Sequence, residues 1–260
     1  MTQAQAELPP IETLFNPHSP EYIKDPVPGC LELLHRGRLV WYEPWQAWIM
    51  TRMPDIMACW KEEYLSSDFY DWEFAPPRPP EDQWCNFERA MIGHSLLADH
   101  DHHRLVRRVT APAYSRNVVD KIQASIEPDV KKLFDDLGQP EEFDYKAEIA
   151  QHIPFISITR MVGIPEKYWA DIRKVILTFT EAWNPTISEE RREAARQDSN
   201  RAIDIIHEVI AERRGQPVQD DFLSTLLQIE ADNPDFEEWD IVTLILALVG
   251  AGADTTLVAQ

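Results

Sequence analysis

Cysteine, glycine and positive charge are all scarce in this chain. Only three of its 260 residues are cysteines, Cys30, Cys59 and Cys85. An odd number without metal-type spacing excludes a disulfide framework and a zinc knuckle, and reduced thiols in a cytoplasmic protein are expected. Lys and Arg number 25 against 45 Asp and Glu, for a formal net charge of −20. That balance argues against nucleic acid or an anionic membrane as the main partner. Long hydrophobic runs are also missing. The apolar stretch Ile241 to Val249 is bounded by Asp240 and falls short of the ~20 residues of a membrane span. The N-terminus, MTQAQAELPPIETLF, has neither a basic n-region nor an apolar h-region, so a soluble protein with no membrane anchor is expected. No fixed-period repeat is present, which excludes a solenoid.

What remains is ordinary globular composition, 44% hydrophobic and 27% charged, enough to bury a full core. Residues 1–20, with Pro9, Pro10, Pro17 and Pro20, read as an irregular arm laid over a surface. Gly29 to Arg36 predicts a short helix ending at Gly37. Leu39 to Tyr42 and Ala47 to Met50, parted by Glu43-Pro44-Trp45-Gln46, predict a β-hairpin. Pro54 opens a helix through Trp60. Residues 65–98 scatter Phe69, Tyr70, Trp72, Phe74, Trp84 and Phe87 among four prolines. They read as a long irregular stretch that either folds its rings over an apolar ligand or patches a core. From His103 onward helices dominate. One is capped by Ser115 and runs to Leu137. Others span Phe143 to Val162 and Pro165 to Trp183. A long charged helix follows a Thr186/Glu189 capping box and ends at Gly215. Asp220 to Glu230 is short, and Asp235 caps the last helix, Phe236 to Gln260. One strand pair followed by many helices is a mainly α architecture with a small sheet near the N-terminus.

The last helix carries the most unusual residues. Its apolar run reaches Gly250, Ala251, Gly252 and Ala253, then Asp254, Thr255 and Thr256. Glycine inside a helix costs about 0.5–1 kcal/mol relative to alanine, so two of them need a reason such as a close approach to the backbone. Asp254 and Thr255 set a proton-exchanging acid beside an alcohol. The second constellation is Asp99-His100-Asp101-His102-His103-Arg104-Leu105-Val106-Arg107-Arg108. His103 and Arg107 are four apart and share a helix face, where imidazole and guanidinium make a clamp for a carboxylate.

Ala251 to Thr256 resembles the [AG]-G-x-[DE]-T-[TS] motif in the oxygen-binding helix of the cytochrome P-450 haem-thiolate monooxygenases. Asp99 to Ser115 is similar to that family's D-P-P-x-H-x-x-x-R-R-x-x-x-x-x-F-[ST], with His100 and Asp101 replacing the prolines and Tyr114 the Phe. The two segments lie roughly 150 residues apart in the family's order, and the resemblance covers essentially the whole chain. It implies the cytochrome P-450 fold and haem b between the two helices. His103 and Arg107 would hold the propionates, Leu96 and Leu97 would be apolar haem contacts, and Ala251 and Gly252 would lie against the distal face. Thr255 would exchange hydrogen bonds with bound dioxygen while Asp254 relays solvent protons. Ala247 and Gly250 would border a small apolar, ring-containing substrate, with Trp84 and Phe87 over it. Arg104 and Arg108 would dock an acidic ferredoxin, itself served by a ferredoxin reductase.

Members of that family run to roughly four hundred residues, and their Glu-x-x-Arg helix and axial-cysteine loop follow the oxygen helix. No cysteine here lies in such a loop, so the axial ligand is expected beyond Gln260. The chain is therefore expected to be the N-terminal part of one larger haem domain, incomplete for catalysis. Two other readings use the same residues. Asp99 and Asp101 with His94, His100, His102 and His103 can ligate a divalent metal, and His100-Asp101 resembles the HD-domain phosphohydrolases. Alternatively, all of these residues are structural in a non-enzymatic acidic helical binding protein.

Overall fold

The computed structural model describes residues 9–62, 64–66, 68–71, 73, 77–78, 80–93, 100–114, 116–179, 181–183 and 187–259. The chain divides into two compact units, Met1–Pro76 and Pro77–Gln260, where the sequence led us to expect one domain. The division falls in the proline-rich stretch.

The first unit holds α1 (Pro20–Lys24), α2 (Val27–Arg36), β1 (Val40–Tyr42), β2 (Ala47–Ile49) and α3 (Met53–Cys59). The Ser19 hydroxyl accepts the Tyr22 N–H at 3.1 Å and caps α1. The predicted hairpin is present, with Val40 opposite Ile49, Trp41 opposite Trp48 and Tyr42 opposite Ala47. On one face the Trp41 and Trp48 rings meet edge-on, 5.3 Å apart. On the other, Tyr42 is buried with Ile11, Phe15 and Leu33. Phe15 is the hub of that small core, with the Tyr22 and Tyr42 rings each 5.3 Å away and near-perpendicular. The N-terminal stretch was expected to be a surface arm. Instead Ile11 and Phe15 supply core side chains, since this unit has few others to bury.

The second unit contains α4 (Asn86–Gly93), α5 (His100–Thr110), α6 (Arg116–Leu137), α7 (His152–Val162), α8 (Trp169–Phe179), α9 (Glu189–Arg214), α10 (Phe222–Asp232) and α11 (Glu238–Ala259). Its centre is α11, which after an acidic first turn is apolar from Ile241 to Val249 apart from Thr243. Ile241, Val242 and Ile245 are fully buried, as a helix hydrophobic all round must be. It packs chiefly on α7 and α4, with α8, α9 and α10 around them. Ile203, Ile206 and Ile210 of α9 and Phe222, Leu223 and Leu226 of α10 complete the core.

Several expectations shift. Part of the irregular aromatic stretch is helical, forming α4. The helix expected over Phe143 to Val162 is a π-turn at Lys146–Ala150 followed by α7. The one expected over Pro165 to Trp183 is α8 flanked by 3-10 turns. The long charged helix is capped by Ser188, whose hydroxyl accepts the Arg191 N–H at 3.3 Å, while Thr186 and Ser115 lie outside the described residues. The start of α11 is organised by Asp240, which accepts the Glu237 N–H at 2.9 Å. Asp235 is not its cap.

A buried ionic knot joins three elements. Arg213, near the end of α9, pairs with Asp221 at the start of α10, their side chains 8% and 9% exposed. The same guanidinium donates to Ser224 Oγ and to the carbonyl of Gly163, each at 3.0 Å. Gly163 closes α7 with φ 89°, and a Cβ there would run into the Asp221 carboxylate. Only glycine suits both the backbone angle and the contact.

Candidate functional site

Both constellations singled out in the sequence lie in the second unit, on α5 and α11, and these helices form opposite walls of one cleft. The inward face of α5 is Val106 and Thr110, 3% and 2% exposed. The Thr110 hydroxyl is satisfied by donating to the Val106 carbonyl at 2.7 Å. His103, Arg104, Arg107 and Arg108 are all exposed, and Arg107 borders the cleft. The first turn of α5 holds Asp101, which pairs with Arg104.

The cleft has a volume of about 300 Å³. Val106, Arg107 and Thr110 line it from α5, Leu244, Ala247, Leu248, Ala251 and Gly252 from α11, with Ile158 of α7 and Tyr114 beside them. Residues 244, 247, 248 and 251 recur at helical spacing, so one stripe of α11 faces the opening. Ala247 and Ala251 keep that stripe shallow. Among the described residues, Arg107 has no acidic partner, which leaves a guanidinium at the rim of an otherwise mostly apolar wall. The Tyr114 ring stands 5.2 Å from that of Phe222. Burial pushes its phenol pKa up, and the nearby Arg107 charge pulls part of the way back.

Gly252 has a packing reason to be glycine. A Cβ there would stand 3.1 Å from Ile158 Cδ1, tighter than ordinary contact, so α7 and α11 cross closely at this point. Gly250 is half-buried on α11 but does not line the cleft. The backbone of α11 continues as helix through 254 and 255. The side chains of Asp254 and Thr255 lie outside the described residues, as do Leu96 and Leu97. Phe87 is 6% exposed in a separate small core with Ala182 and Ala195, its N–H given to Asn200 at 2.7 Å. It packs the fold and does not line the cleft, so the substrate role expected of it is not carried forward. Trp84, half-buried just before α4, is not among the cleft residues either. The lining side chains missed in the sequence, Val106, Thr110, Ile158, Leu244, Leu248 and Tyr114, are mostly apolar. The spacing of 106 with 110, and of 244 with 248, was the available signal.

Among the described residues no three His, Cys, Asp or Glu side chains converge on a metal position. His102 Nε2 is instead 2.6 Å from Oδ1 of Asp240 on α11. His94 and Asp99 lie outside the described residues. Nor is any described helix long and apolar enough to cross a membrane.

No protein-family model matches the chain. It is 27% identical over 263 residues to epothilone C/D epoxidase of Sorangium cellulosum, covering 99% of this chain and 62% of that protein. It is 27% identical to the polyketide biosynthesis cytochrome P-450 PksS of Bacillus subtilis, covering 94% of this chain and 60% of that protein. The solved structure of epothilone D-bound cytochrome P-450epoK superposes with a TM-score of 0.81 at 24% identity, over 94% of this chain and 61% of that one. The PksS structure superposes with a TM-score of 0.75 at 23% identity, over 94% and 59%. The chain thus spans about three-fifths of the length of the relatives it matches. Its mainly α fold with a two-stranded sheet near the N-terminus is the corresponding part of the cytochrome P-450 fold.

Proposed function

We propose that this chain forms the substrate- and oxygen-facing part of a haem-thiolate monooxygenase, with haem b taken up in the cleft between α5 and α11. The observation that carries the reading is Arg107, without an acidic partner among the described residues, across an apolar cleft from the small residues Ala247 and Ala251. The residues present suit such a group. A flat apolar macrocycle with carboxylates at one edge needs a shallow greasy wall and a cation at its rim, and this cleft has both. Haem, when bound, would supply the activation of dioxygen.

The chain's own residues then have defined tasks. Arg107, with His103 one turn earlier on the exposed face of α5, holds and orients the carboxylates. Val106, Leu244 and Leu248 exclude water, which strengthens electrostatic interactions inside the site. Ala251 and Gly252 leave space over the ring. Asp254 and Thr255, about one turn further along α11, hold and pass protons between solvent and the site. Ala247 borders the substrate. One relative is named for epoxidising epothilones and another for polyketide biosynthesis, which favours an apolar, ring-bearing, polyketide-like substrate. Arg104 and Arg108, exposed on α5, are the docking cations for an acidic ferredoxin fed by its reductase. Reversing both charges is expected to slow electron transfer and reduce its salt dependence; an unchanged rate and salt slope would remove them from that role.

The carbon monoxide difference spectrum of the reduced full-length gene product tests the reading. A thiolate-type Soret band is expected. A folded product that takes up no haem would overturn it.

A further inference from the structure

We infer that His102 is a positioning residue for the cleft, acting through Asp240. The hydrogen bond between His102 Nε2 and Asp240 Oδ1, 2.6 Å long, joins residues 138 apart in sequence. A carboxylate only accepts, so the ring N–H donates. Asp240 is a fixed anchor. Its side chain is 7% exposed, and Oδ2 is held by the Glu237 N–H at 2.9 Å. Both oxygens are therefore used, and the direction of Oδ1 is set by the start of α11 itself.

The pair stands one helical turn before the cleft lining, which begins at Val106 on α5 and at Leu244 on α11. Asp240, Leu244, Ala247, Leu248 and Ala251 follow one stripe of α11, and His102, Val106 and Thr110 follow one stripe of α5. Arg107 is five residues along α5 from His102, about 7.5 Å of rise. A clamp at that distance sets where the Arg107 wall stands relative to the Ala247 wall. Removing the imidazole leaves a buried carboxylate oxygen without its donor, a state that folded proteins avoid by moving backbone or admitting water. Here the first turn of α5 is what can move. That the clamp governs retention of haem rests on the function proposed above; that it holds α5 to α11 does not.

The test uses the full-length gene product with His102→Leu and His102→Gln. It follows amide hydrogen exchange across 100–110, exchange in the α9 core, and the rate of haem transfer to an excess of apo-globin. The Leu variant is expected to exchange faster across α5 with α9 unchanged, and to lose haem about tenfold faster, the scale of one hydrogen bond to a charged group. The Gln variant, whose amide can reach Oδ1, is expected to recover most of both. Equal α5 exchange in Leu and wild type, or a Gln variant no better than Leu, overturns the assignment. A general loss of protection that includes α9 also overturns it, by making His102 a support of the whole fold. If the product binds no haem at all, the proposed function fails, and the exchange comparison alone decides the clamp.

Discussion

Asp221→Ala removes two things at once from the knot at the start of α10. The Asp221 carboxylate caps that helix by accepting the Ser224 N–H at 2.8 Å, and losing such a cap costs about 1 kcal/mol. It is also the counter-ion of Arg213, and with both side chains under a tenth exposed water and salt do little to replace it. Leaving one charge of a buried pair without its partner costs about 3–5 kcal/mol. The variant should therefore lose about 4–6 kcal/mol, a large share of the ~5–15 kcal/mol that holds a typical protein folded. Asp221→Asn keeps an oxygen for the cap and an acceptor for the guanidinium but drops the charge, so about 2–3 kcal/mol is expected, the range of a hydrogen bond to a charged group. Arg213→Met combined with Asp221→Ala should cost less than the two single changes summed, because no orphaned charge remains. Urea unfolding followed by far-ultraviolet circular dichroism, compared at midpoint with slopes held common, measures the wild type, the three single variants and the double variant. A loss below about 1 kcal/mol for Asp221→Ala, or equal losses for Ala and Asn, would refute the buried-charge argument.

Gly252→Ala sets a Cβ 3.1 Å from Ile158 Cδ1, so overpacking of about 1–3 kcal/mol opposes the ~0.5–1 kcal/mol that alanine contributes to a helix. The change should lower the melting temperature alone and raise it in an Ile158→Val background, which lacks that methyl; the same sign in both backgrounds would show that the crossing is not the constraint. His152 offers a pH test. Burial, then the Arg173 charge, holds its pKa below the ordinary 6.5. Its Nδ1 accepts from Arg173 at 3.2 Å, which requires a neutral ring. The unfolded chain binds the proton more readily, so stability is full above pH 6.5 and falls as pH drops from there toward the lowered folded value. Unfolding midpoints from about pH 8 to pH 5 should decline more for wild type than for His152→Gln; parallel curves would show that folding leaves the ring's proton affinity unchanged.

What the sequence displayed was local. The hairpin was legible because Val40, Tyr42, Ala47 and Ile49 alternate around a short polar turn. The ends of α2, α6 and α7 were marked by glycines at 37, 138 and 163, which all have positive φ. Of the residues that line the cleft, the sequence had singled out Arg107 through its spacing from His103, and Ala247, Ala251 and Gly252 only through the family resemblance. What escaped notice depends on partners far along the chain. Phe87 looked like a loop aromatic because nothing near it in sequence reveals Ala182 and Ala195. Helix α4 hid among prolines and rings whose composition reads as irregular. The role of Asp240 was invisible for the same reason, since its imidazole arrives from a helix more than a hundred residues earlier. Ser188 carries no capping-box signature in the sequence, because Arg191 stands three residues after it where such a box has Glu or Gln.

The facing indoles of the hairpin have an optical consequence. Trp41 and Trp48, 5.3 Å apart with planes at 64°, are close and skewed enough for their excited states to couple. Such a pair gives a two-signed exciton band in the near- and far-ultraviolet, against which isolated tryptophans contribute little. The signal belongs to the first unit alone, whereas helical ellipticity comes mostly from the second. Two wavelengths in one melting experiment therefore report on the two units separately, without a label, and replacing Trp48 with Phe would erase one trace while leaving the other as its control.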